Sequence, residues 1–284
     1  MARTTTSAKA WAPDLSEVAP IDAVPDALVM QTATIAGDVE GDAVAVRVMY
    51  VDDAEAAFVA EGDPITEAAP DLSEALVYTG KVAQLLRLSR EQFGQPNASA
   101  LLSTSVARAV TMAANRAYIA QEAPTAPAVT PPAGLLHVEG IQGADGSIIV
   151  ADNLDALIDL QTAIGEADGT PTHLVLSPSA WASLRKIKDR ADSNTSLLGA
   201  GTVDAAPSLL NLPVLVSNAV PADTGLMLDK TAIVAAVGMV NVAQSQDAFF
   251  SADSIALRCT WRFGATVVHT DRLGMFTVEN LADK

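Results

Sequence analysis

The sequence of 284 residues contains one cysteine, Cys259, and three histidines, His137, His173 and His269. A single cysteine cannot form a disulfide bond within the chain. The histidines lie at least 36 residues apart, which matches no local zinc-binding spacing. Disulfide-stapled scaffolds and local zinc motifs are therefore excluded.

Motifs of nucleotide binding and of hydrolytic catalysis are also absent. The sequence has no GxxxxGK[ST], HExxH, GxSxG or EF-hand pattern. The nearest glycine cluster, Gly199-Ala200-Gly201, lacks the third glycine of a dinucleotide fingerprint. Cys259 and the histidines are better explained by structural roles. We predict no catalytic residue, no metal ligand and no cofactor.

Basic residues are scarce, since 17 Lys and Arg stand against 34 Asp and Glu, for a net charge of -17. This balance argues against tight binding of nucleic acid or of anionic membranes. The longest apolar run, Thr231 to Val240, is shorter than the roughly 20 residues that cross a bilayer. Residues 1–15 lack the apolar stretch of a secretion signal. We predict no membrane partner and expect the chain to begin near Met1.

The acidic residues are concentrated near the N-terminus. Residues 1–80 contain 15 acids and three bases, and residues 52–73 contain seven acids without Lys or Arg. Such a run is either a docking surface or a solvated loop kept for solubility. Both interpretations stay open at this point.

The N-terminal third is predicted to contain an arm and a long hairpin. Residues 1–36 show neither helical nor strand period, which predicts an extended arm. Residues 43–51 and 74–82 are rich enough in β-branched and aromatic side chains to pair as strands. The acidic run forms the tip of this hairpin, and loops of this length are usually functional or disordered.

Two helices and a linker are predicted next. Ser89 and Gln92 fit a capping box that opens a short helix. A long helix is predicted from Ala98 to about Gln121, because no Pro or Gly interrupts it. Its predicted apolar face contains Leu102, Val106, Ala109, Ala113 and Ala117. Four prolines between residues 124 and 132 then indicate a linker.

A compact α/β segment follows the linker. Asp152 is predicted to cap a helix with Leu154, Leu157, Ile158 and Ile164 on its apolar face. Ser177-Pro178 is a favourable start for a second helix. The predicted strands of this segment are residues 173–176, 213–217, 226–228 and 233–237.

The most regular strand pattern lies near the C-terminus. Residues 255–263 alternate between apolar side chains and Ala256, Arg258, Thr260 and Arg262, which predicts a strand with one apolar and one basic face. Residues 267–268 and 275–278 are expected to complete a terminal sheet, with Phe276 buried.

In this order, the predicted elements resemble the major capsid protein of tailed double-stranded-DNA bacteriophages, which has the Hong Kong 97-type fold. The resemblance extends from about Pro13 to Val278. Four stretches are similar to recurrent sequences of that family: VYTGKVAQLLRLSREQF (77–93), PTHLVLSPSAWASLRKIKD (171–189), LLNLPVLVSNAVPADTGLMLDK (209–230) and QDAFFSADSIALRCTWRFGATV (246–267).

The resemblance implies an α+β fold with four parts. These are an N-terminal arm (1–36), an extended β-hairpin loop (37–80), a peripheral domain with a long spine helix (81–133 and 252–284) and an axial α/β domain (134–251). Residues 52–73 contain no lysine, so the isopeptide crosslink of some family members is not expected.

The resemblance also implies the function and the partners. The chain would be a major capsid subunit, not an enzyme, that self-assembles as hexamers and pentamers of an icosahedral phage head. Packaged DNA would be enclosed without sequence-specific binding. A separate scaffolding protein, a portal protein and optionally a decoration protein would be partners. The expected location is the virion capsid, with assembly in the host cytoplasm.

We predict that the acidic tip of one subunit docks near basic residues of its neighbour. Arg258 and Arg262 are the predicted basic contacts. The predicted acidic contacts are Asp52, Asp53, Glu55, Glu61, Asp63, Glu67 and Asp71. Exposed ion pairs contribute only about 0 to 1 kcal/mol each, so they would set register while apolar burial supplies affinity.

Two alternatives remain from the sequence. An encapsulin-type compartment shares the fold and encloses an enzyme in place of DNA. An intracellular enzyme with its site in residues 134–251 would instead form a small oligomer with a pocket of convergent polar groups.

Overall fold

The computed structural model describes residues 15–52, 71–93, 98–188, 195–198 and 207–279. The helices are α1 (Pro20–Ala23), α2 (Leu28–Thr32), α3 (Arg90–Phe93), α4 (Ala98–Ala120), α5 (Asp155–Glu166) and α6 (Pro178–Lys186). The strands are β1 (Leu15–Val18), β2 (Thr34–Val39), β3 (Ala45–Asp52), β4 (Asp71–Tyr78), β5 (Gly80–Ser89), β6 (Ile149–Val150), β7 (His173–Leu176), β8 (Ser208–Leu209), β9 (Leu212–Val216), β10 (Thr224–Leu228), β11 (Ile233–Gly238), β12 (Val240–Phe249), β13 (Ser254–Val267) and β14 (Leu273–Val278).

The first sheet is organised around β13, the longest strand. One edge of β13 pairs with β5 from Ser254 to Phe263. The other edge pairs with β12 and then with β11, and β1 and β2 extend the sheet from these two strands. The predicted strand of residues 255–263 is confirmed, with Cys259, Trp261 and Phe263 buried on its apolar face.

The second sheet has the order β6-β14-β10-β7-β9-β8. Helices α5 and α6 cover it, and Leu160, Leu184 and Phe276 are buried in their common core. Phe276 is buried as predicted, but the predicted terminal sheet is wrong, because β14 pairs with β10 and β6 and not with β13. These are long-range pairings that the local pattern of β14 does not encode.

The long helix α4 is confirmed at Ala98–Ala120, but its buried face is rotated from the prediction. Val106, Val110, Ala114 and Tyr118 are buried, whereas Ala113 is exposed. The N-terminal segment of residues 15–36, which we name the leader, explains this rotation, because the Tyr118 hydroxyl lies 3.0 Å from Thr32 Oγ1 inside the core.

The leader is not an extended arm over its described residues. Between residues 15 and 36 the chain forms two short helices, strand β1 and the first three residues of β2, and Leu28 and Val29 are buried in the main core. The backbone N–H of Leu28 donates to Asn115 Oδ1 on α4 at 2.8 Å. The extended-arm prediction is therefore wrong for residues 15–36, which pack on their own subunit.

The hairpin of β3 and β4 is confirmed, with Ala45 opposite Tyr78 and Asp52 opposite Asp71. The base of the hairpin packs on its own subunit, where Val48 and Val77 join Val234 in a third core cluster. The predicted returning strand of residues 74–82 is interrupted at Thr79, where the chain passes from β4 to β5.

The sequence predicts the first residue of one of the two helices that cover the second sheet, but not of the other. Ser177 caps α6 as predicted, because its Oγ accepts the N–H of Ala180 at 3.1 Å. The cap assigned to Asp152 is wrong, since α5 begins at Asp155 and Leu154 occupies its N-cap position. Asn153 Oδ1 accepts the N–H of Asp155 at 3.2 Å, and the helix starts two residues later than predicted.

The two large sheets do not coincide with the predicted peripheral and axial domains. Strands β11 and β12, within the predicted axial domain, belong to the first sheet, and β14, within the predicted peripheral domain, belongs to the second. The division into arm, loop, peripheral and axial domains stays a prediction.

Candidate assembly surface

One face of the first sheet is apolar and the other carries basic side chains. Trp261 stacks on Phe263 at 4.6 Å between ring centroids and donates from Nε1 to the Gly238 carbonyl at 3.0 Å. These contacts fix the apolar face of β13 against the core that α4 covers. Since side chains alternate along a strand, Arg258 and Arg262 lie on the opposite face.

Strand β5 adds two further bases to that face. Lys81 is in register with Arg262, and Arg87 is in register with Ala256. Residues directly opposite each other share a face of the sheet, so we name Lys81, Arg87, Arg258 and Arg262 the basic face. Sequence reasoning missed Lys81 and Arg87, because only the register between β5 and β13 brings them beside the two arginines.

Arg258 is the exposed member of β13 on the basic face. Its register partners are Leu85 on one side and Ala243 on the other, neither of which carries charge. Within the described part of the chain, no carboxylate forms an ion pair with Arg258. Its guanidinium is therefore accessible to an acidic group from outside the subunit.

Arg262 is engaged inside its own subunit. Its side chain is only 19% exposed, and Nη2 lies 3.6 Å from Asp42 Oδ1. Nη1 donates to Thr79 Oγ1 at 3.1 Å, and Nε is buried without a hydrogen-bond partner among the described residues. Arg262 thus binds the root of the hairpin that its own chain forms.

A cleft of about 500 Å³ borders Arg262 and Lys81. Four exposed acids surround it, namely Glu17, Asp38, Glu40 and Asp42. The electrostatic field at this end of the basic face is therefore mixed. The end of the basic face that contains Arg258 and Arg87 is the better acceptor for an acidic segment.

Of the predicted acidic contacts, Asp52 and Asp71 lie opposite each other at the outer end of the hairpin strands. The other five, Asp53, Glu55, Glu61, Asp63 and Glu67, lie outside the described residues. Seven register steps separate the Asp52 pair from the Ala45 pair, or roughly 23 Å at the strand rise. The hairpin therefore projects its acidic end well away from the Arg262 anchor.

Burial shifts the pKa values of three titratable side chains. Burial raises the pKa of the Cys259 thiol, which makes it a poor nucleophile. Burial also raises the pKa of the Tyr118 hydroxyl, which lies beside Thr32. Burial and the charge of Lys230 lower the pKa of His173.

Three cavities of about 290, 500 and 530 Å³ border the first sheet, and none of these is built mainly from residues 134–251.

No helix in the described ranges has the length and apolar character needed to cross a bilayer. Among those same residues, no cluster of three or more His, Cys, Asp or Glu side chains is placed to hold a metal ion.

A sheet with one basic face and a projecting hairpin offers surface for binding another chain. The chain belongs to the phage capsid family, whose model matches residues 26–277. The predictions of a structural major capsid protein and of its α+β fold are confirmed by this match. The encapsulin-type alternative is not favoured. A multi-subunit shell and a place in the virion capsid follow from the family.

Similar solved structures show the Hong Kong 97-type fold. The capsid of a native GTA particle is 18% identical, with a TM-score of 0.60 over 98% of this chain and 95% of that chain. The capsid of an empty GTA particle is 19% identical, with a TM-score of 0.61 over 89% and 90%. A chain of Microbacterium phage Oxtober96 is 12% identical, with a TM-score of 0.65 over 89% and 91%. A search of curated proteins gave no match.

Proposed function

We propose that this chain assembles as hexamers and pentamers into a closed icosahedral head that encloses double-stranded DNA. The family match over residues 26–277 carries this proposal. A separate scaffolding protein, a portal protein and optionally a decoration protein complete the particle, and assembly takes place in the host cytoplasm. The subunit itself catalyses no reaction.

Contacts between subunits are proposed to join the acidic hairpin end of one copy to the basic face of the next. Arg258 is the primary basic partner, because it is exposed and makes no ion pair with a described residue. Arg262 is the second partner, although Asp42 already lies 3.6 Å from it. The proposed acidic partners are Asp52, Asp53, Glu55, Glu61, Asp63, Glu67 and Asp71.

The energy of each such contact is small. Exposed ion pairs contribute about 0 to 1 kcal/mol and weaken with salt. Many equal contacts, closed by symmetry, nevertheless hold a shell together. The charges therefore select the partner and the register, and apolar burial supplies most of the affinity.

Enclosed DNA is proposed to make no sequence-specific contact. Duplex DNA carries one negative charge per roughly 1.7 Å, and the protein itself carries a net charge of -17. Like charge keeps the packaged duplex from adhering to the wall. Tight binding of free subunits to duplex DNA at physiological salt would contradict this part of the proposal.

Sedimentation of the purified full chain, followed by electron microscopy of the fast fraction, tests assembly. Closed icosahedral particles are expected, and a small oligomer as the only species would overturn the proposal. Particles from infected cells should contain double-stranded DNA. An enclosed enzyme in place of DNA would instead support the encapsulin-type compartment.

Arg258→Glu tests the contact. We expect at least a several-fold loss of closed particles without loss of the folded subunit, because the substitution acts on an exposed side chain. Arg116→Glu, an exposed arginine on α4, is the matched control and should assemble normally. Equal particle counts for Arg258→Glu and wild type at both low and high salt would refute the charge contact.

A further inference from the structure

An apolar groove of about 530 Å³ lies between α4 and the first sheet. Six of its lining side chains are Leu102, Val106 and Val110 on α4 and Val242, Leu257 and Cys259 on β12 and β13. Leu102, Val242 and Leu257 are only half-buried, so the groove is open to water. Among the described residues that line it, Asp22 alone is charged. Open apolar surface of this kind is typical of a place where another segment binds.

The leader borders this groove. Val18 of β1 and Val24, the residue that follows α1, both line it. Strand β1 begins at Leu15, whose Cα partner on β12 is Ala243, and the next residue of β12, Gln244, lines the groove as well. The backbone that precedes Leu15 therefore starts beside the groove.

Residues 1–14, which we name the tail, lie outside the described residues. Their sequence contains one aromatic side chain, Trp11, among mostly small and polar residues. The tail also carries Arg3 and Lys9 but only one acid, Asp14, in a chain whose net charge is -17. A positively charged segment with a large aromatic side chain complements an apolar groove on an acidic subunit.

The tail is long enough for Trp11 to reach the whole groove. Four residue steps separate Trp11 from Leu15, and an extended chain spans roughly 14 Å over them. The groove follows β12 from Val240 to Gln244, which is roughly 13 Å at the rise of a strand. A side chain tethered this closely acts at an effective concentration of roughly millimolar or more. The tail of the same chain is therefore favoured over that of another copy.

We propose that Trp11 of the same chain binds in this groove and closes the core between α4 and β12. An aromatic side chain removes roughly 150 to 250 Å² from water when it is buried, and this burial is the main source of affinity. Asp22 is placed to attract the basic residues of the tail. The tail is then held on its own subunit, as the leader is, and the groove offers no site to another protein. The inference goes beyond the proposed function, because it concerns a single subunit before assembly.

Fluorescence quenching of the unassembled full chain tests the contact. The signal of Trp11 is obtained in each background by subtracting that of Trp11→Phe, which retains Trp181 and Trp261. Ala107→Phe fills the groove, because Ala107 lines it from α4, and acrylamide should then quench Trp11 several-fold more strongly. Ala113→Phe, at an exposed position of the same helix outside the groove, is the matched control and should leave the quenching of Trp11 unchanged. Equal quenching in the two variants would overturn the inference.

Photocrosslinking identifies which copy supplies the tail. Trp11 is replaced by benzoylphenylalanine, which is aromatic and reacts on illumination with the side chains that it touches. Isotope-labelled and unlabelled subunits are mixed in equal amounts and illuminated before they assemble. We expect crosslinks to residues 102–110 or 240–244, within peptides that are labelled throughout or unlabelled throughout. Crosslinks that join labelled to unlabelled peptides would assign the groove to the tail of another copy and would overturn the inference, as would crosslinks confined to other residues.

Failure of this inference is separable from failure of the proposed function. Both measurements use subunits that have not assembled, so a freely quenched Trp11 would remove the inference and leave the proposal of a closed particle standing. Sedimentation of the unmutated chain tests that proposal independently. Absence of closed particles would leave the contact of Trp11 with its own subunit unaffected.

Discussion

The guanidinium of Arg262 donates a hydrogen bond of 3.1 Å to Thr79 Oγ1, across 183 positions of sequence. Thr79 is fully buried and also donates from Oγ1 to the Ala43 carbonyl. Because Ala43 precedes the outgoing hairpin strand and Thr79 follows the returning one, this pair of hydrogen bonds clamps the root of the hairpin. The direction in which the hairpin projects is therefore set within each subunit before any neighbour is present.

Thr79→Val should lower the free energy of unfolding by about 2 to 4 kcal/mol. The substitution keeps the β-branched shape and removes one neutral and one charged hydrogen bond, so that the Ala43 carbonyl and Nη1 of Arg262 lose the Thr79 hydroxyl. Denaturant unfolding of the unassembled subunit measures the change. Thr111→Val is the control, since it removes one hydrogen bond within α4, and should lose less than about 1.5 kcal/mol. Equal losses for both variants would argue against the clamp.

Gly264→Ala should destabilise the subunit by roughly 3 kcal/mol or more. A Cβ at Gly264 would collide with the Tyr78 carbonyl oxygen, which belongs to the backbone of the hairpin root and cannot move aside. Gly165→Ala is the opposite case, because apart from its chain neighbours and the backbone of its own helix no atom lies within 4 Å of the added Cβ. As a residue inside α5, it should gain roughly 0.5 to 1 kcal/mol. Thermal unfolding of both variants checks the predicted difference in sign.

Leu28→Ala should destabilise the isolated subunit by about 2 to 4 kcal/mol, because Leu28 is 4% exposed and packs in the main core. Ile21→Ala, at 61% exposure in the same leader, should change stability by less than about 0.5 kcal/mol. Unfolding of free subunits is the measurement. If Leu28→Ala affected assembled particles alone, the leader would be docking on a neighbouring copy and not on its own body.

His173 should make stability fall with acid. Burial and the positive charge of Lys230 lower the pKa of His173 below its ordinary value of 6.5. At a pH between the lowered pKa of the folded state and 6.5, the unfolded chain binds more protons at His173 than the folded chain does. The stability of the fold therefore falls as the pH falls through this range. Unfolding of the wild type and of His173→Gln at about pH 7.5 and about pH 5 measures the difference. Between these two pH values His173→Gln should lose less stability than the wild type. Lys230→Gln should also lose less than the wild type, but by a smaller margin, because burial continues to lower the pKa of His173.

Local signals in the sequence predicted the elements whose cause is local. The uninterrupted run behind α4, the Ser177 cap of α6 and the alternation along β13 each depend on neighbours within a few positions, and all three are confirmed. The two leader helices have only four and five residues. Segments this short contain hardly more than one helical turn and so show no period.

Features that depend on distant partners could not be predicted in the same way. Strand β14 belongs to the second sheet because it pairs with β10. The residues of β14 taken alone are compatible with either sheet. Lys81 and Arg87 could be assigned to the basic face only from the register of β5 against β13, which the sequence does not give. The alternating pattern identified Arg262 as basic and outward, but Thr79 and Asp42, which bind it, are remote in sequence.

Parallel pairing of β2 with β11 joins residues 34–39 to residues 234–238, and Val234 and Ala236 of this late part of the chain complete the core cluster at the hairpin base. About 150 residues are synthesised between the end of the hairpin and β11, which takes roughly 8 to 30 s at ribosomal rates. During that interval Val48 and Val77 have no β11 surface to cover them. The core at the hairpin base is therefore complete, and a subunit competent to join a particle, only after translation has nearly ended.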